Sequence, residues 1–207
     1  MLRTLGVKAD VDAGLVAALR GDDPDAAVQL VERYGERAYR LAARVTGAPD
    51  DAEDAAQTAL LTAARSIDAF TGDTSFGSWI DRLAARAAYR KLLARPATAG
   101  LEPAEAIALD DVLPALDGGG LHFEPMRDWS GRIEAADLQG VLRHALADAL
   151  DALPADYRAA LVLHDVEGMQ DAEIAEVLGI APAAVRARVH RGRLFARNRL
   201  SERLVTT

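Results

Sequence analysis

Apolar residues, mostly Ala and Leu, recur three and four positions apart along nearly the whole chain, and runs alternating apolar with polar residues are scarce. A spacing near 3.6 gathers side chains on one face of an α-helix, whereas a half-buried strand needs a period of two. The pattern predicts helices over 12–20, 24–46, 49–70 and 75–93, and a second group over 138–153, 154–167, 171–178 and 182–204. Helix punctuation agrees with these limits. Gly21 and Gly47 fall at C-cap positions, and Pro24 and Pro49 at first-turn positions. Between the groups lie four of the eight prolines and the run Gly118-Gly119-Gly120, a composition that breaks helices. The expected fold is all-α: a bundle over 10–95, a long flexible linker over 96–137, and a smaller bundle over 138–204. Within the linker, FEPMRDW (123–129) is the part expected to become ordered on a partner.

Composition narrows the chemistry. The 207 residues are 50% hydrophobic and 27% charged, enough for real cores. Cysteine is absent, which excludes disulfides, thiolate nucleophiles and cysteine–zinc sites. No two of His122, His144, His164 and His190 stand at helical ligand spacing, so no metal is expected, and no cofactor. No apolar run approaches the roughly 18 residues that cross a bilayer, so the chain is expected to be cytoplasmic, without membrane insertion. No nucleophile–base pair or phosphate-binding Gly-rich loop is present, and an enzyme is not expected.

Charge is unevenly placed. The net charge is -8, yet residues 181–207 carry seven bases and one acid, while 96–137 carry nine acids and two bases. The basic stretch AAVRARVHRGRLFARNRL (183–200) directly follows DAEIAEVLGI (171–180). Together they read as a helix-turn-helix. Ala175 is small where two helices touch, Gly179 supplies the turn, Pro182 opens the second helix, and Ile174, Leu178, Ile180 and Val185 are apolar where a shared core is needed. On a helical wheel Val185, Val189, Gly192 and Ala196 share one face, with Arg186, His190, Arg193 and Arg197 as a neighbouring stripe. A basic stripe beside an apolar one suits a helix in the major groove of DNA.

The first bundle holds a second pattern. Asp50, Asp51, Glu53 and Asp54 crowd a helix start, where carboxylates oppose the positive end of the helix dipole. Farther on, Arg82, Arg86, Arg90 and Lys91 lie at helical steps behind the loop TGDTSFGSW. Phe76 and Trp79 beside them read either as stacking platforms for unpaired bases or as core residues. On these features alone, a helix-turn-helix regulator that binds duplex DNA unaided, with a dimerising or ligand-sensing first bundle, stays open.

Three stretches, DDAEDAAQTALLTAARSIDAF, TSFGSWIDRLAARAAYRKLLAR and ALPADYRAALVLHDVEGMQDAEIAEVLGIAPAAVRARVHRGR, resemble in the same order the extracytoplasmic-function (ECF) sigma factors, two-domain initiation subunits of bacterial RNA polymerase. The resemblance implies three partners: the core polymerase through the clamp and flap of its large subunits, promoter DNA, and an anti-sigma factor. It implies that Asp50, Asp51, Glu53, Asp54 and Gln57 dock on the clamp coiled coil. Asp73, Thr74, Ser75, Phe76 and Trp79 would lie in the segment that captures a flipped base of the -10 element, and Arg82, Arg86, Arg90 and Lys91 would hold the melted strand. Arg186, Arg188, His190, Arg191, Arg193 and Arg197 would bind the -35 element as duplex. The chain departs from the family at Arg86 and Arg90, where Asn and Asp are usual. It departs also at Ala184 and Ala187, where Thr and Ser are common, and at Thr58, usually Glu.

Overall fold

A computed structural model describes residues 12–95 and 136–206, and the chain divides into two compact units at Leu92 and Leu93. The linker expectation, apart from its last two positions, and the FEPMRDW stretch lie outside the described residues. Every regular element among the described residues is helical.

The first unit is built from α1 (Ala13–Arg20), α2 (Ala26–Thr46), α3 (Pro49–Arg65) and α4 (Phe76–Ala94). α2 and α3 form an antiparallel-type hairpin whose facing sides are small: Ala38 and Ala42 on one helix, Ala52, Ala55, Ala56, Ala59 and Ala63 on the other, all buried. Small facing side chains let the two axes come close and pack with little loss of side-chain entropy. The turn between them follows from three residues within a span of four. Thr46 is buried and bonds back to the Ala42 carbonyl at 2.9 Å, Gly47 takes a left-handed φ of 67°, and Pro49 starts α3.

The centre of this unit is aromatic. Phe76 is fully buried, edge-on to Tyr34 at 5.4 Å and to Phe70 at 5.3 Å, and Trp79 lies 5.6 Å from Phe76. Leu15, Leu19, Leu30, Leu60, Ile67 and Ile80 are among the aliphatic residues packed in the same cluster. Polar ties close its rim: the Tyr34 hydroxyl donates to Asp12 at 2.5 Å, and Arg20 Nη2 donates to the Phe70 carbonyl at 2.7 Å.

The expected helix over 49–70 ends early. Thr62 and Ser66 hydroxyls donate to the carbonyls four residues back, at 2.6 and 2.5 Å, the bond pattern by which such side chains compete with the backbone ladder. A 3₁₀ turn, Ile67–Ala69, then aims Ile67 and Phe70 into the core. Two punctuation marks also shift. α2 begins at Ala26, so Pro24 precedes it instead of filling its first turn, and Gly21 caps α1 without a left-handed φ, which falls to Asp22 at 54°.

The second unit contains α5 (Ala136–Asp151), α6 (Ala155–Leu161), α7 (Asp171–Leu178) and α8 (Pro182–Thr206). The single helix expected over 154–167 is α only to Leu161 and widens into a π-helical turn, Val162–Val166. Wider turns of this kind recur at functional sites, because they redirect the side chains that follow. α7 opens with a reciprocal cap in which the Gln170 backbone N–H donates to Glu173 at 3.1 Å. It closes at Gly179, φ 69°, and Ile174, Leu178 and Val185 are buried as the apolar pattern requires. α8 lies against α6 at Gly192, where an added Cβ would meet Leu161 at 3.5 Å, an ordinary van der Waals contact.

Candidate nucleic-acid interface

α8 sorts its side chains by angle. Val185, Val189, Gly192, Leu194, Phe195 and Ala196 are buried, while Arg186, His190, Arg191 and Arg193 are exposed and Arg197 is partly so. The core is therefore matched to the apolar face read from sequence, and the exposed stripe to the basic one. Arg188 departs from that set. Its side chain is only 23% exposed, its Nη2 pairs with Asp156 at 2.9 Å, and its Nη1 is buried without a hydrogen bond among the described residues. Two residues on from Arg186, a position on a helix has turned by about 200°, so Arg188 points toward α6 and braces the fold.

Two of the exposed arginines, Arg186 and Arg193, meet carboxylates of their own module. Arg193 donates through Nε to Asp165 Oδ2 at 2.8 Å and through Nη2 to Oδ1 at 2.5 Å. His164 Nδ1 lies 2.6 Å from the same Oδ1, and its Nε2 lies 3.7 Å from Asp171, which also receives Arg186 Nη1 at 3.3 Å. The hydrogen bonds from Arg193, then those from His164, hold the Asp165 carboxyl below the usual carboxylate range against the opposing effect of partial burial. The same bond raises the Arg193 guanidinium further above its ordinary value. Sequence reading missed His164, Asp165 and Asp171 as partners. Their adjacency to the helix-turn-helix was visible, but the π turn that swings residues 164 and 165 toward α8 was not.

In the first unit, Ser75 begins α4: its hydroxyl accepts the Ser78 N–H at 3.1 Å. Asp73 and Thr74 are exposed before it, Asp73 accepting from Thr71 at 2.7 Å and Thr74 from Arg82 Nη2 at 3.0 Å. Phe76, fully buried, and Trp79, 9% exposed, are core residues in this fold, and their rings offer no stacking platform. The aromatic mass that packs the bundle cannot at the same time be presented to a base. Arg86 and Arg90 are exposed on α4, whereas Lys91 is tied across to Asp54 of α3 at 2.6 Å, a bond that raises its ammonium above the ordinary lysine value. The acidic set on α3 is open: Asp50, Glu53, Asp54 and Gln57 are exposed, Asp51 partly so, and Gln57 bonds Glu53 at 3.3 Å. Leu61, one turn beyond Gln57, is 55% exposed on that side, an apolar neighbour not anticipated from sequence.

Comparison with known proteins fits these two modules. Residues 30–96 match the family described as Sigma-70 region 2, and residues 143–195 match Sigma-70, region 4. The chain is 33% identical over 185 residues to the ECF RNA polymerase sigma factor SigM of Mycobacterium tuberculosis, covering 88% of this chain and 81% of that one. The chain belongs to the ECF RNA polymerase sigma factors. It is also 34% identical over 175 residues to SigE of Mycolicibacterium smegmatis, of whose length this sigma factor spans 61% while 84% of its own is covered. Among solved structures, CnrH in complex with the cytosolic domain of CnrY superposes with a TM-score of 0.51 at 26% identity, over 94% of this sigma factor and 97% of that chain.

Among the described residues, no three or more His, Asp or Glu gather as a metal site would need, and no helix is long and apolar enough to cross a membrane.

Proposed function

We propose that the chain binds bacterial core RNA polymerase, directs it to particular promoters and helps open the -10 region, without covalent chemistry of its own. The observation that carries this is the helix-turn-helix of α7 and α8, whose exposed face is basic in a chain of net charge -8. Arginines there neutralise phosphates and release counterions, and those that reach base edges select sequence. Arg186, His190, Arg191, Arg193 and Arg197 form the -35 set, with Arg188 left to the fold. Asp50, Asp51, Glu53, Asp54 and Gln57, with Leu61 beside them, form the polymerase surface. Arg82, Arg86, Arg90 and Lys91, with Asp73, Thr74 and Ser75, form the -10 surface, where phosphate contacts take more of the work because the aromatic rings are packed inside.

Run-off transcription tests the reading: purified core polymerase with this chain on a library of genomic promoters yields discrete starts that core enzyme alone does not. No co-elution with core polymerase and no new transcript would refute it.

A further inference from the structure

Arg193 is held differently from Arg186. A guanidinium has two edges that can give paired hydrogen bonds: the side made by Nε and Nη2, and the end made by Nη1 and Nη2. Asp165 takes the side edge with both of its oxygens, at 2.8 and 2.5 Å. Arg186 meets Asp171 through a single nitrogen at 3.3 Å.

His164 decides what is left of Arg193. Its Nδ1 stands 2.6 Å from Asp165 Oδ1 and 3.4 Å from Arg193 Nη2. The shorter contact, to an oxygen that can only accept, makes Nδ1 a donor, so it cannot also accept from the guanidinium. Arg193 Nη1 and the outer N–H of Nη2 thus have no acceptor among the described residues, and the side chain is 53% exposed. A guanidinium fixed by one edge and open at the other matches the O6 and N7 pair of guanine, the commonest base-specific contact in the major groove. The carboxylate has already restricted the side-chain rotations that such a contact would otherwise freeze.

We propose that Asp165 is a positioning residue for promoter reading: it grips Arg193 by the Nε–Nη2 edge and leaves the Nη1–Nη2 end for one guanine of the upstream element. This rests on the reading of α8 as the -35 surface. Asp165, in the π turn before the helix-turn-helix, then sets specificity at a base it does not touch.

The test uses the full-length chain with bacterial core polymerase on promoters randomised across the upstream element, sequencing the transcripts made by wild type, Asp165→Asn, Asp165→Glu and Arg193→Lys. Wild type is expected to select guanine at one position. Asp165→Asn and Arg193→Lys are expected to relax that same position roughly tenfold, leaving the others, within the range a bidentate arginine–guanine pair provides. Asp165→Glu restores part of the preference. The salt slope of binding stays unchanged in all three, because none of them removes a phosphate contact. An unaltered preference in Asp165→Asn, or equal weakening at every position, overturns the proposal and leaves the pair a fold contact. If Asp165→Asn melts early, Arg193→Lys decides: retained guanine selection overturns it, and loss at one position supports it. A wild-type chain that starts transcripts but selects no guanine overturns the inference alone, whereas one that starts none removes the proposed function with it.

Discussion

α4 and α8 both place bases at four-residue steps, yet the fold treats them differently. On α4 the bases follow Phe76 and Trp79 of the aromatic centre, with buried Ala84, Ala85, Ala87, Ala88 and Tyr89 between them, and Lys91 leans on Asp54, a carboxylate of the neighbouring surface. On α8 the buried residues between the bases are Val189, Gly192, Leu194, Phe195 and Ala196, and Arg186 and Arg193 pair with Asp171 of the helix-turn-helix and Asp165 of the π turn before it. The lesson is that a periodic charge run locates a face, while the partner across from it decides which charges are presented and in what orientation. On the proposed reading, α4 offers bases as a field for phosphates and α8 offers Arg193 as an oriented fork.

The sharpest way to break the comparison is through the aromatic centre. Phe76→Ala is expected to cost about 3 to 5 kcal/mol, the range for emptying a fully buried phenylalanine site, and a shifted denaturation midpoint measures it. If Phe76 were a base platform instead, stability would hold and only promoter opening would fall. Next in size is the division within α8. Arg186→Ala should lower the slope of log affinity against log salt by about 1, whereas Arg193→Ala, which loses a base contact, should cost about 1 to 3 kcal/mol of promoter affinity and relax one base position. Arg188→Ala should leave that slope alone and destabilise by about 1 kcal/mol through its lost bond to Asp156. Titrating promoter binding against salt, beside thermal melts, separates the two classes.

Asp54→Ala sharpens the comparison from the other side. It should weaken co-elution with core polymerase while leaving the salt slope of promoter binding in place, and free Lys91 in the same step. The smallest effect is acid sensitivity. Because Asp165 titrates below its unfolded value, its pair with Arg193 contributes stability above the unfolded pKa of about 3.9, and that contribution is lost as pH falls from there through the lowered folded value. Melting followed from pH 6 to pH 3 should fall more steeply for wild type than for Asp165→Asn.

Much of this was legible beforehand. The limits of α7, the end of α2 and the start of α8 were read to the residue, because Gly179, Gly47 and Pro182 act locally on the backbone, and those of α1 and α4 to within a residue. The face of α8 followed from spacing alone. Three things were not legible. The break after Arg65 depends on Ile67 and Phe70 finding the core, and the π turn at Val162–Val166 carries no glycine, proline or cap to announce it. The inward turn of Arg188 depends on Asp156 being there to receive it.

The amino-acid order by itself determined that this chain is helical, that its basic charge gathers on a helix-turn-helix, and that an acidic helix start stands in the first bundle. These follow from interactions within a few residues: hydrogen-bonded turns, caps and the period of the helix. Only the tertiary structure decided that Phe76 and Trp79 are interior, that Lys91 answers Asp54 across 37 residues of chain, and that Asp165 grips Arg193 by one edge. Those are matters of distance and direction between elements, which a side chain acquires only once its neighbours have packed.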